Sequence, residues 1–268
     1  MASIRELLDC IGVERSGSLS VLRDLFGFSR GRVPQDPGGT AIPSVSLLSQ
    51  VRALQGRYVN LNLIRVGWDG ISGATNQQNA REKLDFGVFR TRIILAQRNL
   101  GVGRVLYWRI DTADADGADD LGSSGEADDL SDDWGVANDG IDVFIVRNIS
   151  ASGNDSFLGI SPVKGDCDKG GKDDGLVGGA INRGGFGVSA GAWDGFARTM
   201  AHEICHFLGL KHNHGGRPNC PGTTAGCNNL MAQTRCANSC GGGVRAAILL
   251  TGSQGSTIRG HCSVQPGC

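Results

Sequence analysis

Three histidines and one glutamate fall within eleven residues, His202-Glu203-Ile204-Cys205-His206-Phe207-Leu208-Gly209-Leu210-Lys211-His212. On a helix, His202 and His206 are i and i+4, so both imidazoles leave one face a turn apart. That spacing lets both bind a single Zn²⁺ at about 2.0–2.1 Å. Glu203 points about 100° away, which removes it from that ligand set and suits it to act on a water at the metal as general base. Gly209 accepts a positive φ, so the helix can end there, and His212 closes the set from outside the helix. Three neutral nitrogen ligands leave a fourth position for water, the arrangement of a catalytic zinc. His-Glu-x-x-His alone also occurs in helices that bind nothing; the glycine and third histidine at fixed offsets make the longer pattern specific.

On these residues the chain resembles the metzincin zinc endopeptidases, whose pattern H-E-x-x-H-x-x-G-x-x-H is complete here. The resemblance is to reprolysin (adamalysin)-like or pappalysin-like bacterial-type members. It implies a downstream methionine turn, for which Asn228-Asn229-Leu230-Met231-Ala232 is the candidate, with Met231 19 residues after His212. In the family that methionine floors the metal site without ligating it; the other reading of Met231 is an ordinary core methionine. Upstream, Leu158–Val163, Cys167-Asp168 and Gly175-Leu176-Val177 are similar to the loop and edge strand before the active-site helix of reprolysin-type members. The resemblance implies a Cys167–Cys262 disulfide and an extended polypeptide substrate along an edge strand near Leu176–Ile181. It also implies an S1′ wall at Ala232–Arg235. The expected fold is α+β: a twisted, mostly parallel sheet with two long helices above the cleft, and a small, irregular, disulfide-rich subdomain below it that ends in a helix. The chain departs from the family in three respects. Cys205 stands where matrixins often carry glycine, either as a competing thiol ligand or as a small buried hydrophobe. No tyrosine follows Met231, and the matrixin P-R-C-G-x-P-D segment is missing.

The elements that must position these residues are legible in part. Tyr58–Val66 alternates as a strand, Thr75–Leu100 carries a helical apolar face with Gly101 at its C′ position, and Arg104–Ile110 follows. Ile141–Val146 reads as a buried strand, Leu176–Ile181 as a short edge strand, and Ala192–Leu208 as the helix of the histidines. Thr251-x-x-Gln254 is a capping box that opens a last short helix.

The 268 residues hold 43 glycines, roughly twice the usual share of ~7%, so the fold is rich in loops and tight turns. The net charge of −1 hides a segregation: 12 acidic residues and no Lys or Arg lie between Asp111 and Asp142. Elsewhere the basic residues are scattered, which argues against a nucleic-acid face. No run approaches the ~18 apolar residues of a membrane span. Within the acidic block, Asp114, Asp116, Asp119 and Asp120 around Gly117 offer hard oxygen ligands for Ca²⁺; the alternative is a solvated acidic loop. Asp166, Asp168, Asp173 and Asp174 form a weaker candidate. Nine cysteines, six after residue 219, suggest an oxidising compartment and a secreted chain, although no signal-peptide pattern is visible at the start. Cys220, Cys227, Cys236 and Cys240 serve either as disulfides or as a structural zinc site, and the pairing is not deducible. Cys10 is a remote candidate for blocking the metal, and His214 reads as a solvated loop histidine.

The expected organisation is a 1–45 extension, propeptide or linker followed by a catalytic domain over 46–268, divided into an upper subdomain (46–209) and a lower one (210–268). The expected activity is that of a monomeric zinc-dependent endopeptidase acting on polypeptides. The rival is a non-enzymatic binding or adhesion module on the same scaffold, with a structural metal.

Overall fold

A computed structural model describes residues 53–67, 77–150, 158–169, 175–178, 190–213, 224–233 and 247–267. The 1–45 extension, Cys10, Cys220, Cys236, Cys240, Asp173, Asp174 and His214 lie outside the described residues. Strand β1 (Arg57–Val66) leads to helix α1 (Gln77–Ala96) and strand β2 (Gly101–Ile110). The acidic block follows as α2 (Thr112–Ala115), β3 (Asp120–Leu121) and α3 (Ser124–Trp134). Then come β4 (Gly140–Ile145), β5 (Asn148–Ile149), β6 (Gly159–Ile160) and β7 (Gly175–Gly178). Helix α4 (Ala190–Phe207), α5 (Thr224–Cys227), α6 (Gly252–Arg259) and β8 (Gln265–Pro266) complete the chain.

The main sheet runs β2-β1-β4-β7-β6, with β8 added beside β1. The β1–β2, β1–β4 and β4–β7 pairs are parallel, while β6 and β8 run antiparallel to their neighbours. Parallel strands need long crossovers, which places helices on the sheet and makes the central strands apolar on both sides. Accordingly Val59, Leu61 and Leu63 of β1 join α1 and α4 in one core. Ile64 and Val66 pack with α3 in a second. Among the described residues no helix is long and apolar enough to cross a membrane.

Three expectations change. The expected edge strand at Leu176–Ile181 is an inner one over its described residues: β7 pairs with β4 on one side and with β6 on the other, through Gly159↔Gly178 and Ile160↔Val177, while 179–181 lie outside the described residues. Among the described residues the edge therefore falls to the short antiparallel β6. Second, α1 ends earlier than Leu100, and Asn99, not Gly101, takes the left-handed turn at φ 55. Leu100 N donates to Leu95 O at 3.3 Å, the closing bond of a Schellman-type end, and asparagine tolerates that conformation because its short polar side chain suits it. Gly101 is thereby released to open β2. Third, the acidic block is structured. Ser123 caps α3 by accepting from Glu126 N at 3.2 Å, and Ala127 and Leu130 anchor the helix in the second core.

Candidate metal centre

Helix α4 is buried from Phe196 to Leu208, and its apolar residues Met200, Ala201, Ile204 and Phe207 lock it into the first core. This rigid seat fixes His202 and His206 one turn apart. The helix stops at Gly209, whose φ is +97; Leu210 N reaches back to Cys205 O at 2.9 Å and Gly209 N to His206 O at 2.8 Å. A side chain at Gly209 would be strained by that φ, so the glycine is what allows the chain to turn. The turn delivers His212 to the other two: His206 Nε2 lies 3.0 Å from His202 Nε2 and 3.1 Å from His212 Nε2.

The ring tautomers follow from the partners. His202 Nδ1 is 2.7 Å from Leu230 O, and His206 Nδ1 is 2.5 Å from Leu210 O. A carbonyl can only accept, so each Nδ1 carries the proton and each neutral ring presents a bare Nε2. Burial first, and for His202 also the neighbouring His206 and Arg198, holds both histidines below their ordinary pKa. Neutral rings so held bring two nitrogen lone pairs face to face at 3.0 Å. That contact is repulsive unless a cation lies between them. The separations approach the roughly 3.3 Å edge of a tetrahedron built on bonds of about 2.0–2.1 Å, so the donor set fits zinc.

Gln233 serves the third ring. Its Nε2 lies 2.9 Å from His212 Nδ1, while its buried Oε1 has no hydrogen-bond partner. The same Gln233 Nε2 is 3.3 Å from His212 Nε2, so the amide lies against the ring of His212. The three histidines could hold one metal ion, their ligand atoms lying within 4.8 Å of one another.

Glu203 is buried beside the imidazoles, under the edge strand. A Cβ on Gly159 would stand 2.5 Å from Glu203 Cγ and 2.7 Å from its Oε1, so only glycine lets β6 lie directly on this carboxyl. Burial pushes the Glu203 carboxyl up to about 8, while the Arg198 charge pulls it back. A divalent cation among the imidazoles would favour the carboxylate further. Cys205 is buried in the first core and its thiol is pushed up to about 12 by burial, so it behaves as a small hydrophobe and is not grouped with the histidines.

Met231 is fully buried within a turn in which Ala232 N donates to Asn229 O at 3.0 Å and Met231 N to Asn229 Oδ1 at 3.0 Å. The turn reaches the centre through Leu230 O on His202 and Gln233 on His212. Arg198, one turn before His202, is also buried, and its guanidinium donates to Leu230 O (3.0 Å), Ala232 O (2.6 Å) and Ala247 O (3.1 Å). Arg198, Gln233 and the Gly159–Glu203 contact escape a sequence reading.

The other sequence candidates are placed elsewhere. Asp114, Asp116, Asp119 and Asp120 form no three-ligand set among the described residues. Arg147 Nε pairs with Asp119 Oδ2 at 3.2 Å, Arg147 Nη2 lies 3.4 Å from Asp120 Oδ2, and Asn148 donates to Asp120 at 2.8 Å. Asp166 Oδ1 instead accepts from Cys167 N at 2.6 Å. Cys167 and Cys262 form a disulfide with Cα atoms 6.1 Å apart, and Cys227 is also disulfide-bonded.

No protein-family model matches the chain. No curated protein matches it either. Among solved structures it is similar to an archaemetzincin from Methanopyrus kandleri, at 13% identity and a TM-score of 0.45, over 75% of this chain and 94% of that one. It is similar also to metalloproteinase-II from Bacteroides fragilis, at 14% identity and a TM-score of 0.43, over 76% of this chain and 53% of that one.

Proposed function

We propose that this chain is a zinc-dependent endopeptidase of the metzincin type that cleaves internal bonds of polypeptides. One observation carries the reading: His206 Nε2 converges with His202 Nε2 at 3.0 Å and with His212 Nε2 at 3.1 Å, and backbone carbonyls hold the Nδ1 atoms of His202 and His206. Zinc bound there would acidify a water molecule and polarise the scissile carbonyl. His202, His206 and His212 would hold it as neutral donors. Glu203 takes the proton of the attacking water on its carboxylate and passes it to the leaving amine nitrogen. Its buried seat under β6 keeps competing solvent away from that carboxyl. The substrate lies extended along β6, where unpaired main-chain groups of an edge strand give affinity with little demand on sequence. The Cys167–Cys262 disulfide supports an oxidising compartment for this activity.

The test is casein cleavage by protein of measured zinc content, with Glu203→Ala and chelator-treated samples alongside. We expect one zinc per chain in both proteins and a loss of about 10²–10⁴-fold in turnover in the variant, the usual worth of a general base. Wild-type turnover in Glu203→Ala would remove the assignment. Bound zinc without any cleavage by the wild type would favour the non-enzymatic binding module.

A further inference from the structure

We infer that Arg198 is a positioning residue for the metal centre: through the carbonyls of the Met231 turn it sets the orientation of His202. The inference deepens the zinc-peptidase reading and rests on it. Arg198 and His202 stand four residues apart on α4, so they share a helix face. Both reach the same acceptor, Leu230 O, at 3.0 Å from Arg198 Nη2 and 2.7 Å from His202 Nδ1. A carbonyl oxygen has two lone pairs; one is spent on the arginine and the other on the imidazole.

The guanidinium does more than touch one atom. Nη2 also holds Ala232 O at 2.6 Å, on the far side of Met231, and Nε holds Ala247 O at 3.1 Å. The turn is thus gripped on both flanks of Met231 and tied to the segment that pairs with it, where Leu230 N donates to Leu249 O at 2.8 Å. Burying a cation whose hydrogen bonds all go to carbonyls, with the Glu203 carboxyl as its neighbouring acidic group, is expensive compared with an apolar side chain of the same size. A cation kept at that cost, one turn from a metal ligand and sharing its acceptor, acts on the ligand. It fixes the place and direction of Leu230 O, which keeps the proton of His202 on Nδ1 and its Nε2 lone pair aimed at His206. Only a planar fork can serve three carbonyls in this way; a lysine ammonium cannot reproduce it.

The experiment compares wild type, Arg198→Lys and Arg198→Met, each checked for folding by far-UV circular dichroism. Zinc affinity is read by competition with a chromophoric chelator, and ligand geometry by the visible spectrum of the cobalt(II)-substituted proteins. Partners of a metal-bound histidine are worth about 10–100-fold in metal affinity. We expect at least about a tenfold loss in folded Arg198→Lys, a larger loss in Arg198→Met and an altered cobalt spectrum in both. Wild-type affinity and an unchanged spectrum in either folded variant overturn the inference. If Arg198→Met does not fold, Arg198→Lys decides alone, since it keeps the charge in place. A wild type that binds no zinc would instead bring down the zinc-peptidase reading itself, an outcome distinct from variants that match a zinc-binding parent.

Discussion

Among the described residues, two groups of polar side chains with buried members are completed in different ways. On β1 and β4, Asn62 and Asp142 are register partners on one side of the sheet. Asn62 Nδ2 donates to Asp142 Oδ1 at 2.6 Å and to Asn138 Oδ1 at 2.8 Å, while its Oδ1 accepts from Trp108 Nε1 at 3.3 Å and Asn138 Nδ2 at 3.1 Å. Asp142 Oδ2 accepts from Val136 N at 2.9 Å and faces Lys169 Nζ at 2.6 Å. Each polar atom of this pair has its partner within the chain. At the histidine cluster the Nδ1 atoms of the buried His202 and His206 are equally well served, but their Nε2 atoms meet one another and that of the exposed His212. Buried polar groups are ordinarily satisfied, so a buried cluster that closes only around something absent from the chain is the one to read as functional.

The contrast can be broken by exchanging the roles. His206→Ala should abolish stoichiometric zinc binding. With it should go the zinc-dependent gain in unfolding free energy, about 2.7 kcal/mol at free zinc a hundred times the wild-type Kd. Asn62→Ala should do the reverse. It strands Asp142 Oδ1, and a buried group left without a partner costs about 1–3 kcal/mol. That loss should be the same with and without zinc, at an unchanged stoichiometry. Thermal unfolding with and without chelator measures both, and a zinc-dependent penalty in Asn62→Ala would mean the two clusters are one system.

The centre was legible because it is local. All three imidazoles lie within eleven residues, and the helix, its Gly209 end and the return to His212 each follow from short-range rules. What braces the centre was not legible, because its partners are remote in sequence: Arg198 finds its carbonyls 32 to 49 residues away, and no spacing rule marks a side chain that bonds to backbone. The acidic block erred the other way. Ten carboxylates in 23 residues drew attention to charge, whereas the local signals, Ser123 three residues before Glu126 and then Ala127 and Leu130, spell a capped helix with an apolar stripe. Arg147, arriving from beyond β4, supplies a cation there from within the chain. The place of the edge strand is not legible, because Leu176-Val177 between glycines reads alike with one neighbour or two; only the pairing of β6 decides it.

A smaller effect sharpens the comparison at the catalytic end. Gly159→Ala puts a methyl where Glu203 Cγ and Oε1 now lie. The long glutamate can move aside, so the protein should fold and keep its zinc, since no imidazole shifts. The carboxyl, however, is displaced from its seat. We expect a fall of about tenfold in kcat, about 1.4 kcal/mol in the barrier, with zinc content unchanged. Loss of zinc in Gly159→Ala would show instead that β6 supports the ligands and not the base.

The smallest effect comes from two matched caps, one in each region. Ser123 caps α3 in the acidic block, and Thr251 caps α6 in a full capping box with Gln254. Replacing either with alanine removes one exposed side-chain acceptor and should cost about 1 kcal/mol. The surroundings differ. Gln254 also exchanges hydrogen bonds with Asn229, at 2.8 and 3.1 Å, and Asn229 Oδ1 holds Met231 N. Ser123 has no such route to the histidines. Thr251→Ala leaves the Gln254–Asn229 pair and the Arg198 grip in place, so its zinc affinity should stay at the wild-type value, as should that of Ser123→Ala. A weakened zinc site in Thr251→Ala alone would extend the brace of the Met231 turn to the cap of α6. The same weakening in Ser123→Ala would join the acidic block to the metal centre and dissolve the division between a region that completes itself and one that does not.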